Sequence, residues 1–167
     1  MGKKEVLLLQ AIRNNDLNSV NKLLKGSLFS KGADVNLITG FPGLLPLGLA
    51  CYRGYKDIIE LLITKGADIN KQDGVGRTPI NNAAEEGHKD IVEFLIKINA
   101  DINLENNLRE SPLTIASKKQ YKDIIEILKA HGAKGRILKN AFSKLSYSSL
   151  DELEQVINQL KYKLDAN

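Results

Sequence analysis

The chain has 167 residues, 43% of them apolar and 26% charged, the balance of one folded domain, which excludes a disordered or collagen-like polymer. Its net charge of +4 is scattered, with no long run of like charges, so neither composition nor pattern points to nucleic acid. Aromatic residues make up only 5% and Trp is absent, which leaves Leu, Ile, Val and Ala to build the core.

The single cysteine, Cys51, has no intramolecular disulfide partner and suggests a reducing compartment. No apolar stretch approaches the ~18 residues of a membrane span. Met1-Gly2-Lys3-Lys4-Glu5-Val6 lacks the apolar core of a signal peptide, and Val6 breaks the myristoylation pattern. A cytoplasmic protein is expected; export by a route without a cleaved signal would leave no mark in these residues.

One phrase recurs along the chain. Lys31-Gly32-Ala33-Asp34-Val35-Asn36 opens the series, and Gly66-Ala67-Asp68-Ile69-Asn70, Asn99-Ala100-Asp101-Ile102-Asn103 and His131-Gly132-Ala133 continue it. Ala33 lies 34 residues before Ala67, and Ala67, Ala100 and Ala133 follow one another at 33. A fixed period of this length predicts a stacked repeat array over residues 1–133, in units of about 5–36, 37–70, 71–103 and 104–133.

The first unit, Val6 to Lys25, reads as an N-terminal cap. Ala11 takes a small-residue place, Asn15-Asp16 breaks the helix, and Val20, Leu23 and Leu24 form the stripe of a second helix. Arg13, Asn14, Asn18 and Asn21 suit a face that meets water. The segment from Lys25 to Lys31 adds about five residues relative to the other units. In the second unit the turn around Phe41, Pro42 and Leu44 carries one extra residue, and Leu45-Pro46 opens a short helix without a capping hydroxyl. Small residues Ala50-Cys51 follow, Gly54 ends that helix, and Asp57 starts the next, with Ile58, Ile59, Leu61 and Leu62 as its apolar stripe.

The third unit is the clearest. Asp73-Gly74-Val75-Gly76-Arg77-Thr78-Pro79-Ile80-Asn81-Asn82-Ala83-Ala84-Glu85-Glu86-Gly87-His88 runs into a second helix with Ile91, Val92, Phe94 and Leu95 on one side. Thr78 before Pro79 predicts a capped helix start, and Gly87 its end. This run resembles the ankyrin repeat, D-x-x-G-x-T-P-L-H-x-A-A-x-x-G-H followed by an amphipathic helix and G-A-D-V-N, and the resemblance covers roughly residues 5 to 133. It implies an all-α ankyrin-repeat solenoid of stacked helix-turn-helix units with short β-turn or hairpin fingers.

The fourth unit repeats the cap with Ser111-Pro112, but has Thr114 where the pattern has His and Gln120 where it has Gly. Ile124, Ile125, Ile127 and Leu128 mark its second helix. After Ala133 the period stops. Arg136 to Leu145 reads as a helix, and Ser149-Leu150-Asp151-Glu152 is a capping box before a stripe of Leu153, Val156, Ile157, Leu160 and Leu164. Residues 134–167 are expected to form a C-terminal helical cap, with a degenerate fifth repeat as the alternative.

No catalytic set, cofactor cradle or metal-binding spacing is recognisable. His88 and His131 with one distant Cys51 fit no zinc pattern, and the Gly74-Val75-Gly76 run serves a turn. The expectation is a non-enzymatic module that binds a protein partner, with no nucleic acid, membrane, cofactor or metal, and acts as a monomer. Assembly through the C-terminal helices, or action as a secreted effector that binds host proteins, is the alternative.

Resemblance to the family implies that a partner meets the turn tips and first helices on the concave face. Carried over by position, these are Phe41, Leu44, Tyr52 and Arg53, then Val75, Arg77, Glu85 and Glu86, then Leu108, Glu110, Lys118 and Lys119. Tyr and Arg are common binding anchors, and an apolar tip buries little of its own surface. Phe41 and Leu44 have a second reading, in which they fold back over the lengthened turn.

Overall fold

Proline sets the first turn of three helices, where its missing N–H leaves no bond unmade. The computed structural model describes residues 3–25, 31–40 and 43–135. Among these, eight helices follow in order: α1 (Lys3–Arg13), α2 (Leu17–Lys25), α3 (Pro46–Arg53), α4 (Lys56–Thr64), α5 (Pro79–Glu86), α6 (Lys89–Lys97), α7 (Pro112–Lys119) and α8 (Lys122–Ala130). Thr78 and Ser111 have extended backbones and accept from the Asn81 and Thr114 amides, at 3.4 and 3.3 Å. Leu45 has the same extended backbone with no side-chain cap. The expected cap from residue 136 onward, the inserted residues 26–30 with Leu28 and Phe29, and Phe41 with Pro42 lie outside the described residues.

The odd helices form one layer and the even helices the other. Ala50, Cys51, Ala83, Ala84 and Ala116 are completely buried, and their small side chains let α1, α3, α5 and α7 pack closely in series. The second helices bring their stripes in behind them, with Ile58, Ile59 and Leu62, then Ile91, Val92 and Leu95, then Ile124 and Leu128, all in one continuous core. Contact between successive second helices is sparser than between successive first helices. Asp57, Asp90 and Asp123 stand in the first turns of α4, α6 and α8, where a carboxylate complements the helix dipole. The first unit meets solvent with Arg13, Asn14 and Asn18 as expected, and also with Val6, Leu7 and Leu17.

The recurring Asp-x-Asn phrase is a ladder between units. Asp34, Asp68 and Asp101 each accept from the amide two residues on, at 2.8, 2.9 and 2.8 Å, which folds the backbone into a turn. Asn36, Asn70 and Asn103 then accept, through Oδ1, from the amides of Asp68, Asp101 and Lys134 in the following unit at 2.8, 2.8 and 2.6 Å. Asn36 also donates to the Gly66 carbonyl at 2.9 Å. The period read in the sequence is therefore the spacing of a hydrogen-bond rail that fixes the register of stacking.

Each first helix ends on a left-handed residue: Asn15 (φ 54°), Gly54 (76°), Gly87 (79°) and Gln120 (63°). A side chain in this conformation is strained by roughly 1–2 kcal/mol, while Gly adds about 0.5–1 kcal/mol of chain entropy to the unfolded state. Gln120→Gly should therefore raise stability by about 0.5–1 kcal/mol. A thermal melt checks this, with Gln120→Ala as the control that shows no gain.

Candidate functional site

The fingers between units are built on short polar residues that fold back on themselves. Asp73 Oδ1 accepts from the Val75 and Arg77 amides, both at 2.9 Å, and Asn106 Oδ1 accepts from Leu108 and Glu110 at 2.8 and 3.0 Å. The second finger closes differently, by reciprocal bonds between Thr39 and Leu44 at 3.0 and 2.7 Å. Neighbouring fingers also bond to each other, Gly74 N to Gly43 O at 2.8 Å and Asn107 N to Val75 O at 3.2 Å. At Gly76 (φ 77°) this approach is so close that a Cβ would lie 2.8 Å from the Asn107 backbone nitrogen, so a side chain there is strained.

One pair of positions, eight residues apart, joins each finger to the first helix behind it. In the third unit Arg77 and Glu85 form an ion pair at 2.7 Å. In the fourth the signs are exchanged: Glu110 pairs with Lys118, and the Asn106 carboxamide donates to the same carboxylate at 2.9 Å. Lys118 and Asn106 together hold the Glu110 carboxyl below its ordinary value, Lys118 contributing more. One period earlier these positions hold Leu44 and Tyr52, which have no charge to pair.

That substitution opens a depression of about 300 Å³ between the second and third units. Leu44, Tyr52 and Arg53 line it from one side, Val75 and Arg77 from the other. These are five of the residues the sequence marks for a partner, drawn together from two fingers and two helices. Leu44 is half-buried against the core as well as facing the hollow, so both readings of it hold in part. The Tyr52 hydroxyl donates to Glu86, and this bond together with the carboxylate's charge pushes the phenol above its ordinary value.

The other marked residues are placed elsewhere. Leu108 is 75% exposed on the fourth finger, and neither it nor Glu110, Lys118 and Lys119 lines the depression. Glu85, Glu110 and Lys118 tie fingers to helices, so their charge is largely satisfied within the chain. Arg13, Gly48, Asp73 and Asn82 line the depression and were not marked. Arg13 stands at the end of α1, one period before Tyr52 once the inserted residues are allowed for, so counting in periods was the signal that would have found it.

The residues with reactive potential have packing roles. His88 Nε2 lies 3.0 Å from the Tyr52 carbonyl, and His131 Nδ1 lies 2.9 Å from the Ile127 carbonyl. Cys51 is buried, and desolvation pushes its thiol up, away from the reactive thiolate. Among the described residues no group of three or more His, Cys, Asp or Glu side chains is placed to hold a metal ion.

Comparison with known proteins points the same way as the stacking. The profile of a family described as ankyrin repeats (3 copies) matches residues 8–106 and 47–141. An ankyrin repeat protein of Rickettsia felis is 39% identical over 69 residues, 41% of this chain and 16% of that protein. The human 2-5A-dependent ribonuclease is 38% identical over 73 residues, 44% of this chain and 9% of its own length. A tyrosine-protein kinase of Hydra vulgaris is 33% identical over 69 residues, 41% of this chain and 9% of the kinase. The chain thus spans a small fraction of the length of these relatives.

The Glu110–Lys118 pair has a testable pH signature. Because the folded carboxyl is held below its ordinary value, the stabilisation is complete above the usual carboxylate range and is lost as pH falls through the lowered value. Lys118→Met should lower the melting temperature at about pH 7 and make little difference at about pH 3. Melts of both proteins across that range check it; an equal loss at both ends would assign the effect to packing.

Proposed function

The chain belongs to the ankyrin-repeat family, and on that premise we propose that it is a protein-binding module whose partner docks on the side of the fingers and first helices. Family membership supports protein binding in general, since ankyrin repeats are protein interaction modules and typically carry no catalysis of their own. The observation behind the finer reading is the convergence of Leu44, Tyr52, Arg53, Val75 and Arg77 around one hollow. Tyr52 and Arg53 are exposed and supply amphipathic contact of the kind that dominates interfaces. The fingers are held by backbone and side-chain bonds before any partner arrives, so binding orders little of the module.

The reading takes the protein as a cytoplasmic monomer that needs no cofactor, metal or nucleic acid. The lone cysteine, sealed in α3, is in keeping with a setting where no disulfide is formed. Among the described residues no helix is long and apolar enough to cross a membrane.

The test is capture of partners from native lysate with the wild-type chain and with a Tyr52→Ala/Arg53→Ala variant. Both side chains point outward, so the variant should melt within about 2–4 °C of the wild type. Its captured partners should fall roughly tenfold or more. Undiminished capture would place the binding surface elsewhere.

A further inference from the structure

One polar side chain in the depression has no partner. Asn82 is only 5% exposed, and its carboxamide makes no hydrogen bond among the described residues, although it lines the hollow. The carboxamide is not sealed from solvent, so it stands open to the hollow. The aligned positions one period away hold Leu49 and Ile115, both buried and apolar, so the stack itself does not require an amide there. Room for it comes from Gly48, where a Cβ would lie 2.9 Å from Asn82 Nδ2. Unit two thus gives up a side chain at the place where unit three puts a carboxamide open to solvent.

Arginines gather at the hollow, and Glu85 and Glu86 stand close enough to Tyr52 to act on its phenol. Arg13, Arg53 and Arg77 line it against the single carboxylate of Asp73. Arg77 is paired with Glu85, and Asp73 Oδ1 already takes two finger amides. Arg13 and Arg53 form no ion pair among the described residues. Beneath them the lining is Leu44, Leu45, Leu49 and Val75.

We propose that this depression reads a linear segment of the partner in which an apolar side chain neighbours an Asp or Glu. The apolar side chain seats on Leu44, Leu49 and Val75, the carboxylate is drawn by Arg13 and Arg53, and the Asn82 carboxamide bonds a peptide group of the segment. A peptide group offers one donor and one acceptor, the pair that a carboxamide matches. This inference rests on the binding-face reading above and adds what the face selects.

The experiment pans a random dodecamer phage library on the intact wild-type chain, then measures selected synthetic peptides by calorimetry against variants. Enrichment of Asp or Glu beside an aliphatic or aromatic residue is expected. Asn82→Leu, which installs the residue type of the aligned position, should keep the fold by circular dichroism and weaken the peptide roughly 5- to 100-fold. Asn82→Asp, nearly the same shape, should weaken it further by adding a like charge. Arg13→Ala and Arg53→Ala should each weaken it roughly two- to fivefold and reduce its salt dependence.

Peptides without an acidic residue that still lose binding on Tyr52→Ala would overturn this inference while leaving the binding face intact. Peptides indifferent to both Tyr52→Ala and Arg53→Ala would overturn both. Unchanged affinity in a folded Asn82→Leu, or a library that yields no binder, would also overturn the inference.

Discussion

Every helix pair in this protein has more apolar surface than it can cover alone, and the deficit is met by the next pair. Ile58, Ile59 and Leu62 of α4 need the units on either side, as do Ile91, Val92 and Leu95 of α6, and all belong to one core. Completely buried alanines in α3, α5 and α7 set how closely the pairs approach. Apolar burial has no directional preference, so it does not by itself fix how far one unit slides on the next. The asparagine rail supplies that, since Asn36, Asn70 and Asn103 each reach one particular amide of the following unit. Close approach thus comes from small side chains and register from hydrogen bonds.

Much of this was legible in the residues. The 33-residue period shows as direct repetition, and the Pro-led helices, the hydroxyl caps at Thr78 and Ser111 and the left-handed ends at Gly54 and Gly87 follow from local chemistry that acts within a few residues. The hollow was legible only in part. Tyr52, Arg53, Val75 and Arg77 stood out by residue type and position. Asn82 did not, because an Asn inside a helix looks unremarkable until its neighbours prove to leave its amide unpaired. The pairs Arg77–Glu85 and Glu110–Lys118 were not legible as pairs, since their members lie eight residues apart, across a turn whose closure no helical or strand period encodes.

The hollow follows from a break in repetition. Where units three and four close the finger against the helix with an ion pair, unit two has Leu44 and Tyr52. An array built from identical units would present an even face; one unit with an apolar pair interrupts it. Gly48, Asn82 and the two arginines without an ion-pair partner are clustered around that same break. The stacking tolerates such changes because the fingers and the outward turns of the first helices contribute little to the core.

The claim that units depend on one another for cover is tested most directly by native-state hydrogen exchange on Ile80→Ala. Ile80 is completely buried in α5, which packs on both α3 and α7. Shared cover predicts that a loss of about 2–5 kcal/mol at this residue lowers amide protection in α3 and α7 as well as in α5. Protection that falls only in α5 and α6, with the flanking units unchanged, would show that each helix pair stands by itself and would contradict the account.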